Sequence, residues 1–144
     1  MKTIAHIAFA LLLLLNGYKL NAQIVINEVC TYNDDVLEDL DGDKSDWIEL
    51  YNSTNNPINL NGYTLQSKIQ NLSYNLPQLV LDGHAFQIVF LSGKNKFGSQ
   101  VHTNFKMVLN DTILINQNQN IINSVVVPDL FVDHSYGSIE DGNS

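Results

Sequence analysis

The chain has 144 residues, with 15 acidic against 7 basic side chains, a formal net charge of −8 and one cysteine. Every basic residue is a lysine, so the chain lacks both the positive field and the guanidinium fork that read phosphate, which excludes nucleic acids and anionic membrane surfaces as partners. Cys30 alone closes no internal disulfide, which leaves the hydrophobic core or a bound metal to hold the fold, and its apolar neighbours mark it as a small buried hydrophobe.

Residues 1–22 read as a cleaved signal peptide. Lys2 provides the charged start, Ile4 to Leu15 an apolar run, and Leu20-Asn21-Ala22 a polar exit. The run is shorter than the roughly 20 apolar residues a membrane span needs, and no second one follows, so no membrane span is expected. Cleavage after Ala22 leaves one domain, residues 23–144, secreted or periplasmic. All the acidic residues stay with it, while Lys2 and Lys19 leave.

Behind the leader, short apolar runs alternate with turn residues, and no stretch keeps a helical period for three turns. The expected class is all-β. Predicted strands, in chain order, are Ile24–Cys30, Trp47–Asn52, Tyr63–Gln66, Ser73–Leu76, Ala85–Leu91, Lys106–Leu109, Thr112–Asn116 and Ile121–Val127. Turn chemistry separates them at Asn55-Asn56-Pro57, Asn61-Gly62, Leu81-Asp82-Gly83, Gly93–Lys96, Asn110-Asp111 and Asn118–Asn120. Strict alternation in the first strand puts Ile24, Ile26, Glu28 and Cys30 on one face, with Val25, Asn27 and Val29 on the other. In the second, Ile48 and Leu50 point to the core, and Trp47 and Tyr51 flank Glu49 on the opposite face.

Nine carboxylates lie between Glu28 and Glu49, with Lys44 as the one cation among them. Within this stretch, Asp39-Leu40-Asp41-Gly42-Asp43-Lys44-Ser45-Asp46 spaces acids around a glycine, as oxygen-rich calcium loops do, because a hard cation takes six to eight oxygens on a tightly turning backbone. Calcium is therefore the one candidate cofactor. Its expected ligands are Asp39, Asp41, Asp43 and Asp46, with Glu28 or Glu49 added if their strands pair. The competing reading is a solvated acidic loop. Transition metals fit poorly, since no histidine pair or cysteine accompanies these acids.

Little other chemistry is visible. His84, His102 and His134 follow no metal-binding spacing and read as surface or turn histidines. Asp133-His134-Ser135 has the residue types of a hydrolase triad, but sequence neighbours on a strand point apart and cannot relay a proton. Sequons at Asn52, Asn71 and Asn110 mark surface turns open to glycans in a eukaryotic secretory pathway.

Three segments carry a family resemblance: Ile24-Val25-Ile26-Asn27-Glu28-Val29, Asp46-Trp47-Ile48-Glu49-Leu50-Tyr51-Asn52 and Ile58-Asn59-Leu60-Asn61-Gly62-Tyr63-Thr64-Leu65. Leu79–Gly83 before Ala85–Leu91, His102-Thr103-Asn104-Phe105-Lys106 and Asp133-His134-Ser135-Tyr136-Gly137 extend it. Together they resemble the lamin-tail domain in its exported bacterial form. The resemblance implies an immunoglobulin-like β-sandwich, here without the last strand with which family members usually continue, and a non-catalytic interaction or targeting module. An extracellular protein or surface polymer is then the expected partner. The alternative it implies is the N-terminal accessory domain of a longer secreted enzyme, such as a spore-coat-protein-H-type kinase-like protein or a nuclease. A stand-alone hydrolase acting on an extracellular polymer would rest on Glu28 and Glu49 alone.

Overall fold

A computed structural model describes residues 22–142. The signal-peptide segment therefore lies outside the described residues except for Ala22. The elements, all strands, are β1 (Ile24–Cys30), β2 (Trp47–Asn52), β3 (Ile58–Asn59), β4 (Tyr63–Ser67), β5 (Leu72–Asn75), β6 (Val80–Leu81), β7 (Phe86–Phe90), β8 (Lys96–Phe97), β9 (Val101–His102), β10 (Thr112–Gln117), β11 (Asn120–Val126) and β12 (Ser135–Gly137). They form an immunoglobulin-like β-sandwich. One sheet runs β12-β1-β2-β7-β9-β8, the other β11-β10-β4-β5, and β3 and β6 make a small separate ladder. All pairings are antiparallel except β7 with β9. Among the described residues no helix is long and apolar enough to cross a membrane.

Period-two alternation explains the core between the sheets. Ile48 and Leu50 from β2 meet Leu65 from β4 and Ile113 and Ile115 from β10, all fully buried. Each such side chain contributes about 1.5–3 kcal/mol on burial, and together they offset the chain entropy lost in ordering short strands.

The first strand departs from strict alternation. Ile26 pairs with Leu50 but Glu28 pairs with Glu49, so Asn27 is an inserted bulge residue. After it the faces exchange: Ile24, Ile26 and Val29 enter the core, whereas Cys30 joins Trp47 and Phe90 in a second apolar cluster on the outer face. The expected grouping of Glu28 and Cys30 with Ile24 and Ile26 is thus corrected by one extra residue.

The expected strand Lys106–Leu109 is not one either. Lys106 makes a single bridge to Ser92, and the chain then turns, with Asp111 N–H bonded to the Val108 carbonyl and Asn110 at φ 62°. A short apolar run without alternation cannot distinguish a strand from a packed turn. In the other direction, the closing segment supplies β12, which pairs Ser135, Tyr136 and Gly137 with Cys30, Val29 and Glu28.

Candidate functional site

The outer face of the six-stranded sheet carries one continuous row across four strands: Cys30, Trp47, Phe90 and His102. His102 stacks on Phe90 with ring centroids 5.1 Å apart and is fully buried, which corrects the expectation of a surface histidine. The acidic segment after β1 folds over this row. Asn33 organises it: its Oδ1 accepts the Val36 and Leu37 N–H groups, and its Nδ2 donates to the Leu37 and Ser45 carbonyls. Leu37 packs on the apolar cluster beneath. Further on, Leu40 N–H donates to Gln100 Oε1 at 2.8 Å, and Asp133 Oδ1 accepts the N–H groups of Asp34 and Asp35.

Three of the four expected calcium ligands converge. One carboxylate oxygen from each of Asp39, Asp41 and Asp43 lies within 4.8 Å of the others. Asp39 is buried and its Oδ1 accepts the N–H groups of Asp41 and Asp43 at 2.9 and 3.0 Å, so the loop turns around it. Gly42, at φ 84°, makes the tight turn. Asp46 stands apart and is used locally, its Oδ1 accepting the Asn33 N–H. At the convergence point lies the ammonium of Lys94, bonded to Asp39 and 2.8 Å from both Asp41 and Asp43, while Lys96 pairs with Asp41.

These contacts set the local electrostatics. Burial alone would raise the Asp39 carboxyl, but the Lys94 ammonium and the N–H groups of the loop hold it below the usual carboxylate range. Asp41 is held down to about 2 by hydrogen bonds from Lys94 and Lys96. Burial would also depress Lys94, yet its three carboxylates keep it well above the ordinary lysine range. His102 Nδ1 lies 3.1 Å from Ser92 Oγ and 3.9 Å from Asp39 Oδ2, and its buried Nε2 has no partner among the described residues. Burial pushes its pKa down, against the pull of Asp39 and with the help of Lys94 and Lys96.

Sequence reasoning found the acids and missed their cations. Lys94 and Lys96 lie some fifty positions further along the chain, and only the joining of β8 and β9 to the sheet brings them to the loop. The Gly93-Lys94-Asn95-Lys96 run was legible as a turn, and its lysines form the densest positive cluster in an acidic chain.

Glu28 and Glu49 do face each other, at the bulge. They line a shallow cleft of about 300 Å³ with Asn27, Phe86 and Asp141. Asn27 Nδ2 donates to Glu49 Oε1 at 3.0 Å and to Asp141 Oδ1 at 3.2 Å, and its Oδ1 accepts the Gly142 N–H. Burial raises the Glu49 pKa, Asn27 lowers it, and Glu28 and Asp141 raise it further. Asn27 thus ties the bulge both to Glu49 and to the C-terminal segment. Asp133, His134 and Ser135 form no relay: Asp133 holds the acidic loop, and His134 Nδ1 contacts its neighbour's carbonyl, that of Val132.

Of the sequons, Asn52 is not on an open turn. Its side chain is fully buried, with Nδ2 donating to the carbonyls of Asn56, Leu81 and Asp82. Asn71 and Asn110 are exposed.

A comparison with curated proteins finds no match to the chain. The family model described as Lamin Tail Domain matches residues 19–129, from before β1 through β11. The matched region holds the two paired glutamates, the acidic loop and its lysines, and both faces of the sandwich, and the chain therefore belongs to the lamin-tail-domain family.

Proposed function

We propose that this chain is a non-catalytic interaction or targeting module that works outside the cytoplasm. The observation that carries the reading is an apolar groove at the seam between the sheets. It encloses about 760 Å³ between β1, β11 and the segment around β12, with Ile26, Val29, Val125, Val127, Tyr136 and Ile139 along it. Ile139 in its lining is wholly exposed, at 104%. Exposed apolar surface gathered in a groove is where a partner or ligand binds. The partner that fits is a protein on the cell surface. Labelled protein should decorate cells of the source organism, and Tyr136→Ser with Ile139→Ser should remove most of that binding while the chain still unfolds cooperatively. Equal decoration by the substituted chain would overturn the reading. N-terminal sequencing of the exported product is expected to begin at Gln23, and retention of the full leader would argue against export.

Calcium enters this proposal as a competitor of Lys94. The oxygen donors of Asp39, Asp41 and Asp43 suit a hard divalent cation, which must displace the ammonium to reach them. Lys94→Met should therefore gain a calcium-dependent rise in Tm larger than that of the unsubstituted chain, because a ligand that binds only the folded state stabilises it by mass action. Identical melting of Lys94→Met in calcium and in chelator would remove calcium from the account.

A further inference from the structure

We infer that Gln23 is a modification site: once the leader is removed after Ala22, the Gln23 α-amine closes onto its own side-chain carboxamide, and the exported chain begins with a pyroglutamyl lactam. This rests on the reading of the chain as an exported module and names the chemistry of the end that export creates.

Residue type is the first observation. The expected cut leaves Gln23 first in the mature chain. A glutamine in that position holds an acyl carbon where attack by its own α-nitrogen forms an unstrained five-membered ring. An α-amine ordinarily titrates near about 8, so roughly a tenth of it is unprotonated and nucleophilic at neutral pH. In the reaction the Nα–Cδ bond forms and the Cδ–Nε2 bond breaks. Ammonia leaves with a hydrogen taken from the amine. Nothing is oxidised or reduced, and no metal or second substrate enters.

Placement in the fold is the second, independent observation. β1 opens at Ile24, which is fully buried and pairs with Asn52, whereas Gln23 is exposed. The Gln23 carbonyl accepts the Ser53 N–H at 2.9 Å and the Ser53 hydroxyl at 3.3 Å. Its carboxamide makes no hydrogen bond among the described residues. The fold thus holds residue 23 by its carbonyl, a group the reaction does not touch, and leaves the acyl carbon free. Both reacting atoms belong to this one residue, so closure is an intramolecular step that needs only rotation of an exposed side chain. No strand of the sandwich has to move.

The product also suits an exported chain. Removal of the leader creates a primary α-amine, the group an aminopeptidase grips. Because the chain is paired and buried from Ile24 onward, Gln23 is the residue such an enzyme meets first. A lactam nitrogen is neutral and is no longer a primary amine, so ring closure protects the one residue that β1 leaves outside the sheet.

The test uses the full chain, expressed with its leader in an exporting host and purified from outside the cytoplasm. Amines of the native protein are dimethylated before digestion, so a Gln23 amine still open at harvest is labelled and cannot cyclise during handling. A protease that cuts after glutamate then releases residues 23–28 for tandem mass spectrometry, which reads a lactam that stepwise chemical degradation cannot. Most of this peptide should be unlabelled and lighter by one ammonia. Gln23→Asn, whose shorter carboxamide could close only a strained four-membered ring, should instead carry the label on its first residue. An aminopeptidase should shorten that variant and leave the parent intact. A labelled Gln23 of full mass, or a chain start at another residue near the cut, overturns the inference and leaves export standing. Retention of the whole leader overturns both.

Discussion

At the scale of single residues, buried polar groups carry the specificity of the fold. Asn52 ends β2, and its fully buried side chain donates to the carbonyls of Asn56, Leu81 and Asp82, pinning two turns to the strand end. Asn52→Ala is expected to cost at least about 2 kcal/mol, read as a lower midpoint in urea unfolding with an unchanged slope. Gly83 packs directly against its neighbours, where an added Cβ would sit 2.6 Å from the Asn55 carbonyl. Cys30 is a thiol pushed up to about 11, first by burial and then by Asp46, Asp133 and Glu28. It should resist thiol reagents in the folded chain and react at once in denaturant; rapid labelling of native protein would contradict its place beneath the acidic loop. His102 supplies a pH test. Its pKa is lowered by burial, so the stability it contributes is complete above the unfolded value of about 6.5 and declines as pH falls through it. Thermal melts from about pH 7.5 to 5.5 should show this loss, and His102→Gln should flatten it.

At the scale of elements, the bulge in β1 is the telling case. Removing Asn27 would restore regular alternation and leave Ile24, Ile26 and Val29 facing the core as before. What it would abolish is the tether: Asn27 bonds Glu49, Asp141 and Gly142 through its side chain, and its carbonyl accepts the Ser138 N–H. Deletion of Asn27 should therefore leave cooperative unfolding in place while residues 138–142 become far more sensitive to proteases, with mass spectrometry locating the cuts. Simultaneous collapse of the whole fold would show that the bulge shapes the sheet itself. This explains why strand existence was legible and facing was not. Ile24–Cys30 announces a strand by its β-branched residues, but one inserted residue changes every facing after it and leaves no local signal. The Lys106–Leu109 run failed for a different reason, since its apolar side chains pack from a turn.

At the scale of the whole molecule, charge is separated by surface. The acids gather in the loop over the six-stranded sheet, where Lys94 and Lys96 neutralise part of them, and the four strands of the other sheet carry none. Asp39 and Asp41 both have lowered pKa values. The stability they contribute is present above the ordinary carboxylate value of about 4 and is lost as pH falls below it. Acid unfolding should set in there, and Lys94→Met should blunt the dependence by removing the partner that creates it. The all-β class, the core positions Ile48 and Leu50 and the family were determined by sequence alone, because period-two alternation and turn residues are local properties of a chain. Convergence of Asp39, Asp41 and Asp43 was half legible, since their spacing shows in the sequence but the ammonium between them does not. Lys94 at that centre, His102 under the loop, Asn52 in the interior and an uncharged sheet face opposite an acidic one were decided by tertiary structure, because each depends on strands distant in sequence meeting in one register.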